Sequence, residues 1–159
     1  MIKVLIVYHS VSGNTEMMAK EVAKGISENG AEVEVKKVED AEVDELPRYD
    51  ALILGSPNYF GSMSAEIKQF IDKSVKYFKK LEWKAGAAFT STGMQGGGGE
   101  LVLVDLIKAL MIHGFVVKGE PSAGHFGPVA IGKPDDTILS ECRLLGEKTV
   151  NLIKRIKSE

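Results

Sequence analysis

The strongest constraint on this chain is a set of short, unbroken apolar runs, each followed by a segment whose apolar residues recur at helical spacing. A strand that is apolar at every position is buried on both faces, and helices are what bury it. Lys3 to Tyr8 predicts the first such strand. From about Thr15 to Asn29 the residues Ala19, Val22, Ala23 and Ile26 share one helix face, and Gly30 stops it. Glu32-Val33-Glu34-Val35-Lys36 instead alternates, the pattern of a half-exposed strand at a sheet edge. Ala51 to Leu54 predicts a third strand, followed by a helix from Ser64 to Phe78 with Ile67, Phe70, Ile71, Val75 and Phe78 inward. Ala85 to Thr90 is a fourth strand, and Leu103, Leu106, Ile107 and Leu110 mark a helix that Gly114 ends. Phe115 to Val117 is a fifth strand. A Gly- and Pro-containing connection, Gly119 to Pro134, leads to a last helix with Ile138, Leu139, Cys142, Leu145, Leu152 and Ile153 on its buried face.

Alternating strands and helices imply an α/β three-layer sandwich with right-handed crossovers. The expected sheet is five-stranded and parallel, in the order 2-1-3-4-5, because the alternating second strand belongs at an edge. The 159 residues suit one domain, 1–159. A hydrophobic fraction of 44% with 26% charged residues excludes disorder, and a net charge of -2 offers no basic face for nucleic acid. No apolar run reaches the roughly 18 residues of a membrane span. The apolar stretch at the N-terminus is too short for a secretion signal. Cys142 is the only cysteine, so an internal disulfide and a cysteine-rich metal site are excluded and the expected compartment is cytoplasmic.

In a sheet of this order, ligands bind beyond the C-terminal strand ends, where the winding reverses between strands one and three. After strand one comes His9-Ser10-Val11-Ser12-Gly13-Asn14-Thr15, a hydroxyl-rich turn opening into a helix. Free N–H groups, the helix dipole and the hydroxyls together make an anion cradle, although Ser, Asn and Thr also serve as plain helix caps. No Lys follows Gly13, as a nucleoside-triphosphate loop requires, and three spaced glycines are lacking. No cysteine nucleophile stands in this loop, and no aspartate ends strand three. What remains is a phosphate monoester bound without basic residues. The loop after strand three, Ser56 to Ser64, carries Tyr59 and Phe60, which would flank a planar ring or simply cover the core, and Gly61, which lets backbone amides approach a ligand. After strand four, Ser91 to Glu100 holds the run Gly96-Gly97-Gly98-Gly99, suited to close backbone approach or to a mobile connection.

At these three loops the chain resembles the flavodoxin-like superfamily, most closely the tryptophan-repressor-binding-protein family of NAD(P)H:quinone oxidoreductases. The resemblance runs through Tyr8 to Thr15, Gly55 to Met63, Phe89 to Gly97 and His113-Gly114. It implies FMN as cofactor, with Ser10, Val11, Ser12, Gly13, Asn14 and Thr15 around the phosphate. Pro57, Asn58, Tyr59, Phe60 and Gly61, with Ser91, Thr92, Gly93, Met94, Gln95 and Gly96, would surround the ribityl chain and the ring. NAD(P)H is the implied co-substrate. The chain departs from the family where Tyr59 replaces a common Arg and where Ile112 replaces the first His of His-His-Gly, the one expected to reach a neighbouring subunit's flavin. It is also shorter than those relatives after strands two and five. A homo-oligomer stays open.

His113 is expected as a partly cationic imidazole at a helix C-terminus, and Trp83 as packing below strand four. His125, in the loop after strand five, is a candidate proton donor to a reduced quinone or an idle surface histidine. Cys142, on an apolar helix face, belongs to the core. Two functions compete. One is an enzyme passing two electrons from NAD(P)H to a small-molecule acceptor such as a quinone. The other is a flavodoxin-type carrier moving single electrons between partner proteins, which would surround its flavin with carboxylates. No carboxylate precedes Glu66 in the second loop or Glu100 in the third, which favours the enzyme.

Overall fold

The computed structural model describes residues 1–158. Ten strands and helices follow one another along it: β1 (Lys3–Tyr8), α1 (Asn14–Glu28), β2 (Glu32–Lys37), β3 (Ala51–Pro57), α2 (Ala65–Lys73), β4 (Ala85–Thr92), α3 (Gly99–Ile112), β5 (Val116–Val117), β6 (Val129–Ile131) and α4 (Asp136–Lys157). Short 3-10 turns fill Val38–Asp40, Val43–Arg48 and Ser74–Tyr77, the last replacing the final turn expected of the second helix. The sheet is parallel throughout, in the order β2-β1-β3-β4-β5.

It has six strands, not five, because β6 also pairs with β4. Val116 faces Ala85 and Val129 faces Thr90, so thirteen steps of chain run beside five steps of β4. The fifth strand is one edge position interrupted by a looped-out excursion, whose Gly127 presses so closely on the Ala88 carbonyl that a β-carbon there would collide with it.

The side chains of β1 divide by parity. Val4, Ile6 and Tyr8 join Met18, Val22 and Ile26 of α1 and Cys142, Val150 and Ile153 of α4. Leu5 and Val7 join Ile67 and Phe70 of α2 and Val102, Leu103, Leu106 and Leu110 of α3. Two helices thus cover each face. On the first face, α1 and α4 touch backbone to backbone: a β-carbon on Gly146 would stand 2.9 Å from the Ile26 nitrogen, and one on Gly25 would collide with the Arg143 carbonyl. That interlock fixes the C-terminal half of α1 against α4. Gly146 and Thr149 hold the buried α4 positions beside Cys142 and Ile153, while Ile138, Leu145 and Leu152 are only half-buried.

Trp83 does not pack below β4. It stands 72% exposed with φ +65°, its main-chain N–H donating to the Gly114 carbonyl at 3.0 Å. Among the described residues no helix is long and apolar enough to cross a membrane.

Candidate functional site

Parallel pairing aligns the C-terminal ends of β1, β3 and β4, and the loops leaving them meet along one rim. β3 and β4 run further than their apolar stretches: Ser56, Thr90, Ser91 and Thr92 are buried strand residues. Their hydroxyls are satisfied locally. Thr90 Oγ1 donates to the Ser56 carbonyl at 2.6 Å, and Ser56 Oγ accepts the Ser64 N–H at 2.8 Å, which seats the start of α2.

The first loop turns on Gly13, whose φ of +93° only glycine adopts without strain. Ser10 Oγ accepts the N–H groups of Gly13 (3.2 Å) and Glu16 (3.3 Å), so the donors at the start of α1 converge on an oxygen. Neither Gly13 nor Asn14 caps α1 with its own side chain, and the Ser10 hydroxyl stands in that place. Val11 and Ser12 stand exposed above it. Thr15 is buried, and its hydroxyl meets Ser91 Oγ at 2.8 Å, tying the first loop to the third. Before the loop, buried His9 sits between two carboxylates, with Nδ1 3.0 Å from Glu39 and Nε2 3.6 Å from Glu66. Composition gave no sign of that clamp, because its partners come from elements 30 and 57 residues away.

Asn58 joins the second loop to the third. Its main-chain N–H donates to the Ser91 carbonyl at 2.8 Å. Its side-chain Nδ2 donates to the Gly97 carbonyl (2.6 Å) and Thr92 Oγ1 (3.0 Å), while Oδ1 accepts the Gly61 N–H (2.8 Å). The Gly61 amide is therefore already committed. Tyr59 and Phe60 do not cover the core; they are 42% and 110% exposed. Gly93, Met94, Gln95 and Gly96 form the exposed tip of the third loop. Apart from chain neighbours, no atom lies within 4 Å of where a β-carbon would stand on Gly13, Gly93 or Gly96, so the space beside each of these glycines is open.

His113 differs from the partly cationic imidazole expected of it. His113 does end α3, but burial lowers its pKa and favours the neutral ring. Ser74 Oγ lies 2.7 Å from Nε2 and also 2.6 Å from the Ile71 carbonyl. The hydroxyl's single proton goes to that carbonyl, so Nε2 carries the ring proton and donates. His125 is exposed, with Nδ1 3.0 Å from the Glu120 carbonyl, and its hydrogen bonds stay within its own excursion. Burial pushes the Cys142 thiol up to about 12, as fits a core residue.

Comparison with known proteins agrees with this geometry. The Flavodoxin family pattern matches residues 6–105, from β1 into α3. A protein of Archaeoglobus fulgidus named NAD(P)H dehydrogenase (quinone) is 34% identical over 98% of this chain and 100% of its own. A flavodoxin of Clostridium saccharobutylicum is 33% identical over 97% of this chain and 99% of its own. Among solved structures, a flavodoxin described as WrbA-like from Agrobacterium tumefaciens superposes with a TM-score of 0.81 at 29% identity, covering 98% of this chain and 99% of that one. The sheet order, the three rim loops and these likenesses agree: the chain belongs to the flavodoxin family.

Proposed function

We propose that the chain is an FMN-dependent NAD(P)H:quinone oxidoreductase. The observation that carries this reading is the meeting of three unlike loops on one rim: a hydroxyl-lined helix start, a hairpin with exposed aromatics and a glycine run, none holding a carboxylate. The donor set fits a phosphate monoester, since the cradle offers N–H and O–H groups and no full positive charge. The space beside Gly13, Gly93 and Gly96 is open, which suits close approach of a ligand to the backbone of the first and third loops.

FMN in this position would supply a ring that accepts hydride from NAD(P)H and returns two electrons to the acceptor. Ser10, Val11, Ser12, Gly13, Asn14 and Thr15 would hold its phosphate. Pro57 to Gly61 and Ser91 to Gly96 would line the ribityl chain and the ring, with Asn58 keeping the two loops at a fixed separation. The net conversion is NAD(P)H, a proton and a quinone giving NAD(P)+ and a hydroquinone. From Ser10 to Thr15, Pro57 to Ser64 and Ser91 to Gly99 no side chain is acidic or basic, so the proton comes from solvent at the open mouth; His125, bonded within its excursion, has no part in this account.

The competing carrier function would dock a redox partner protein through charge. Here the first carboxylates beyond the loops are Glu16, paired with Lys20 at 2.8 Å, Glu66 beside His9, and Glu100. The exposed apolar residues along the rim are Val11, Tyr59, Phe60 and Met94, an uncharged face.

The test is to identify the flavin released on denaturation, then titrate the holoprotein anaerobically with NADPH and NADH. Direct bleaching by either nicotinamide, reversed by benzoquinone, is expected. Accumulation of a long-wavelength radical absorbance, with no reduction by either nicotinamide, would replace this reading with the carrier.

A further inference from the structure

The connection from α2 to β4 is unlike the rest of the chain in charge. Between residues 73 and 84 it carries Lys73, Lys76, Lys79, Lys80 and Lys84 against one carboxylate, Glu82, in a chain whose net charge is -2. Lys76 pairs with Asp44, and Lys84 turns inward to donate to the carbonyls of Pro47 and Tyr49. Lys73, Lys79 and Lys80 are exposed and join no ion pair among the described residues. Between these lysines stand Phe78 and Trp83, 47% and 72% exposed. Neither is on a loose tip. Leu81 is fully buried and anchors the connection, and left-handed φ values at Lys79 (66°) and Trp83 (65°) turn the chain on either side of it. The main chain of Trp83 is bonded to Gly114, and the Phe78 ring lies 6.4 Å from that of His113. These contacts bring in the end of α3, so that Val75 and Ile112, 69% and 66% exposed, border the same groove as Phe78. The result is an apolar ridge edged by uncompensated lysines and held rigidly by the fold.

We propose that this end of the molecule docks on an anionic lipid bilayer, with Phe78 and Trp83 at the headgroup boundary and Lys73, Lys79 and Lys80 against the headgroups. Lysines of such a surface attract acidic phospholipids, and aromatic rings settle where headgroups meet hydrocarbon. A nucleic acid would answer the lysines equally well, but Val75 and Ile112 gain only where hydrocarbon replaces water. The ridge also lies at the end of the sheet opposite the three loops. Lys84 leads directly into β4, and the third loop leaves β4 eight residues on, a separation of roughly 25 Å. Docked in this way, the protein keeps its crevice open to the aqueous side. None of these residues belongs to the three loops, so the proposal stands apart from the oxidoreductase reading.

Trp83 is the only tryptophan, so its emission reports on the surface directly. The purified protein is mixed with vesicles of phosphatidylcholine, or of phosphatidylcholine and phosphatidylglycerol in equal parts, and followed by flotation and fluorescence. Flotation should recover it with the anionic vesicles only. Trp83 emission should move to shorter wavelength there, and both signals should fall as salt is raised. Lys79→Gln combined with Lys80→Gln should weaken binding roughly ten- to thirtyfold. Trp83→Asn, which suits the left-handed backbone, should weaken it roughly three- to tenfold. Neither variant should lower the thermal midpoint, since the altered side chains are exposed. Equal flotation with neutral vesicles, binding without a Trp83 shift, or variants that bind as wild type does would each overturn the proposal. So would a protein that leaves anionic vesicles untouched, whether its Trp83 emission then shifts with an RNA oligonucleotide or on self-association at high protein concentration.

Discussion

Asn58→Asp isolates the tie between the second and third loops by altering one atom type. In the native side chain, Oδ1 accepts from Gly61 while Nδ2 donates to Gly97 and Thr92, an orientation fixed by the Gly61 donor and the Gly97 acceptor. A carboxylate keeps the first bond and loses both donors. The Thr92 hydroxyl can rotate to donate to it, but the Gly97 carbonyl, 2.6 Å from Nδ2, then faces another oxygen. Losing one neutral bond costs about 0.5–1.5 kcal/mol, and the unpaired, repelled carbonyl adds to that, so a net loss of about 1–2 kcal/mol is expected at pH 7. The sign with pH follows from the protonated acid, whose O–H can donate to Gly97. The new group's folded pKa therefore lies above its unfolded value of about 3.9, and the penalty is small below that value and complete above the folded pKa. Urea unfolding of wild-type and variant apoproteins at pH 7 and pH 4 gives the difference directly. A deficit equal at both pH values, or none at pH 7, would show that the Asn58 amide does not hold the loops together.

Replacing Ser10 and Ser12 together with Ala, or Thr15 with Val, should weaken FMN tenfold or more and leave riboflavin nearly unaffected, because hydrogen bonds to a charged phosphate are worth about 1.5–3 kcal/mol each; equal losses for both ligands would place the phosphate elsewhere. Gly146→Ala gains about 1 kcal/mol in helix propensity, yet its β-carbon would press on the backbone of α1, for which about 1–3 kcal/mol or more is typical. Calorimetry should show a lower melting temperature, and a rise would mean the two helices stand further apart. His113, with its folded pKa held by burial below the ordinary imidazole value of about 6.5, contributes stability that is complete above about pH 6.5 and declines as pH falls from there toward the folded pKa. Its replacement by Asn should flatten that part of the stability profile, and an unchanged acid limb would contradict the burial of the neutral ring. Cys142 should stay inert to a thiol reagent in the native protein and react on unfolding; rapid native labelling would refute its burial.

The strand order was legible because each strand's two-sided or one-sided burial is written in its hydrophobic pattern. β2, with Val33 and Val35 between charged residues, could only be an edge. Hydrophobicity could not show where β3 and β4 stop, since Ser56, Ser91 and Thr92 are buried by hydrogen bonding rather than by apolarity. β6 was missed for a related reason: three residues inside a Gly- and Pro-containing stretch form a strand only because β4 runs on to meet them. Trp83 was misread as core because its size suggested burial, while the local left-handed backbone turns it outward. At the site, residue types identified the loops, but the bonds between Thr15 and Ser91, between Asn58 and Gly97, and between His9 and its two carboxylates join residues far apart in sequence. Only the fold brings them together.

The interrupted fifth strand bears on how the protein behaves when crowded with its own copies. A parallel sheet ends in two rows of unpaired backbone groups, and a long, flat edge invites another chain to add a strand. β5 offers two residues and β6 three, separated by a folded excursion, so no continuous run on that side is long enough to template a partner. The opposite edge, β2, carries Glu32, Glu34, Lys36 and Lys37, whose desolvation opposes the same kind of pairing. Both borders of the sheet are thereby guarded against strand-by-strand aggregation, one by brevity and the other by charge.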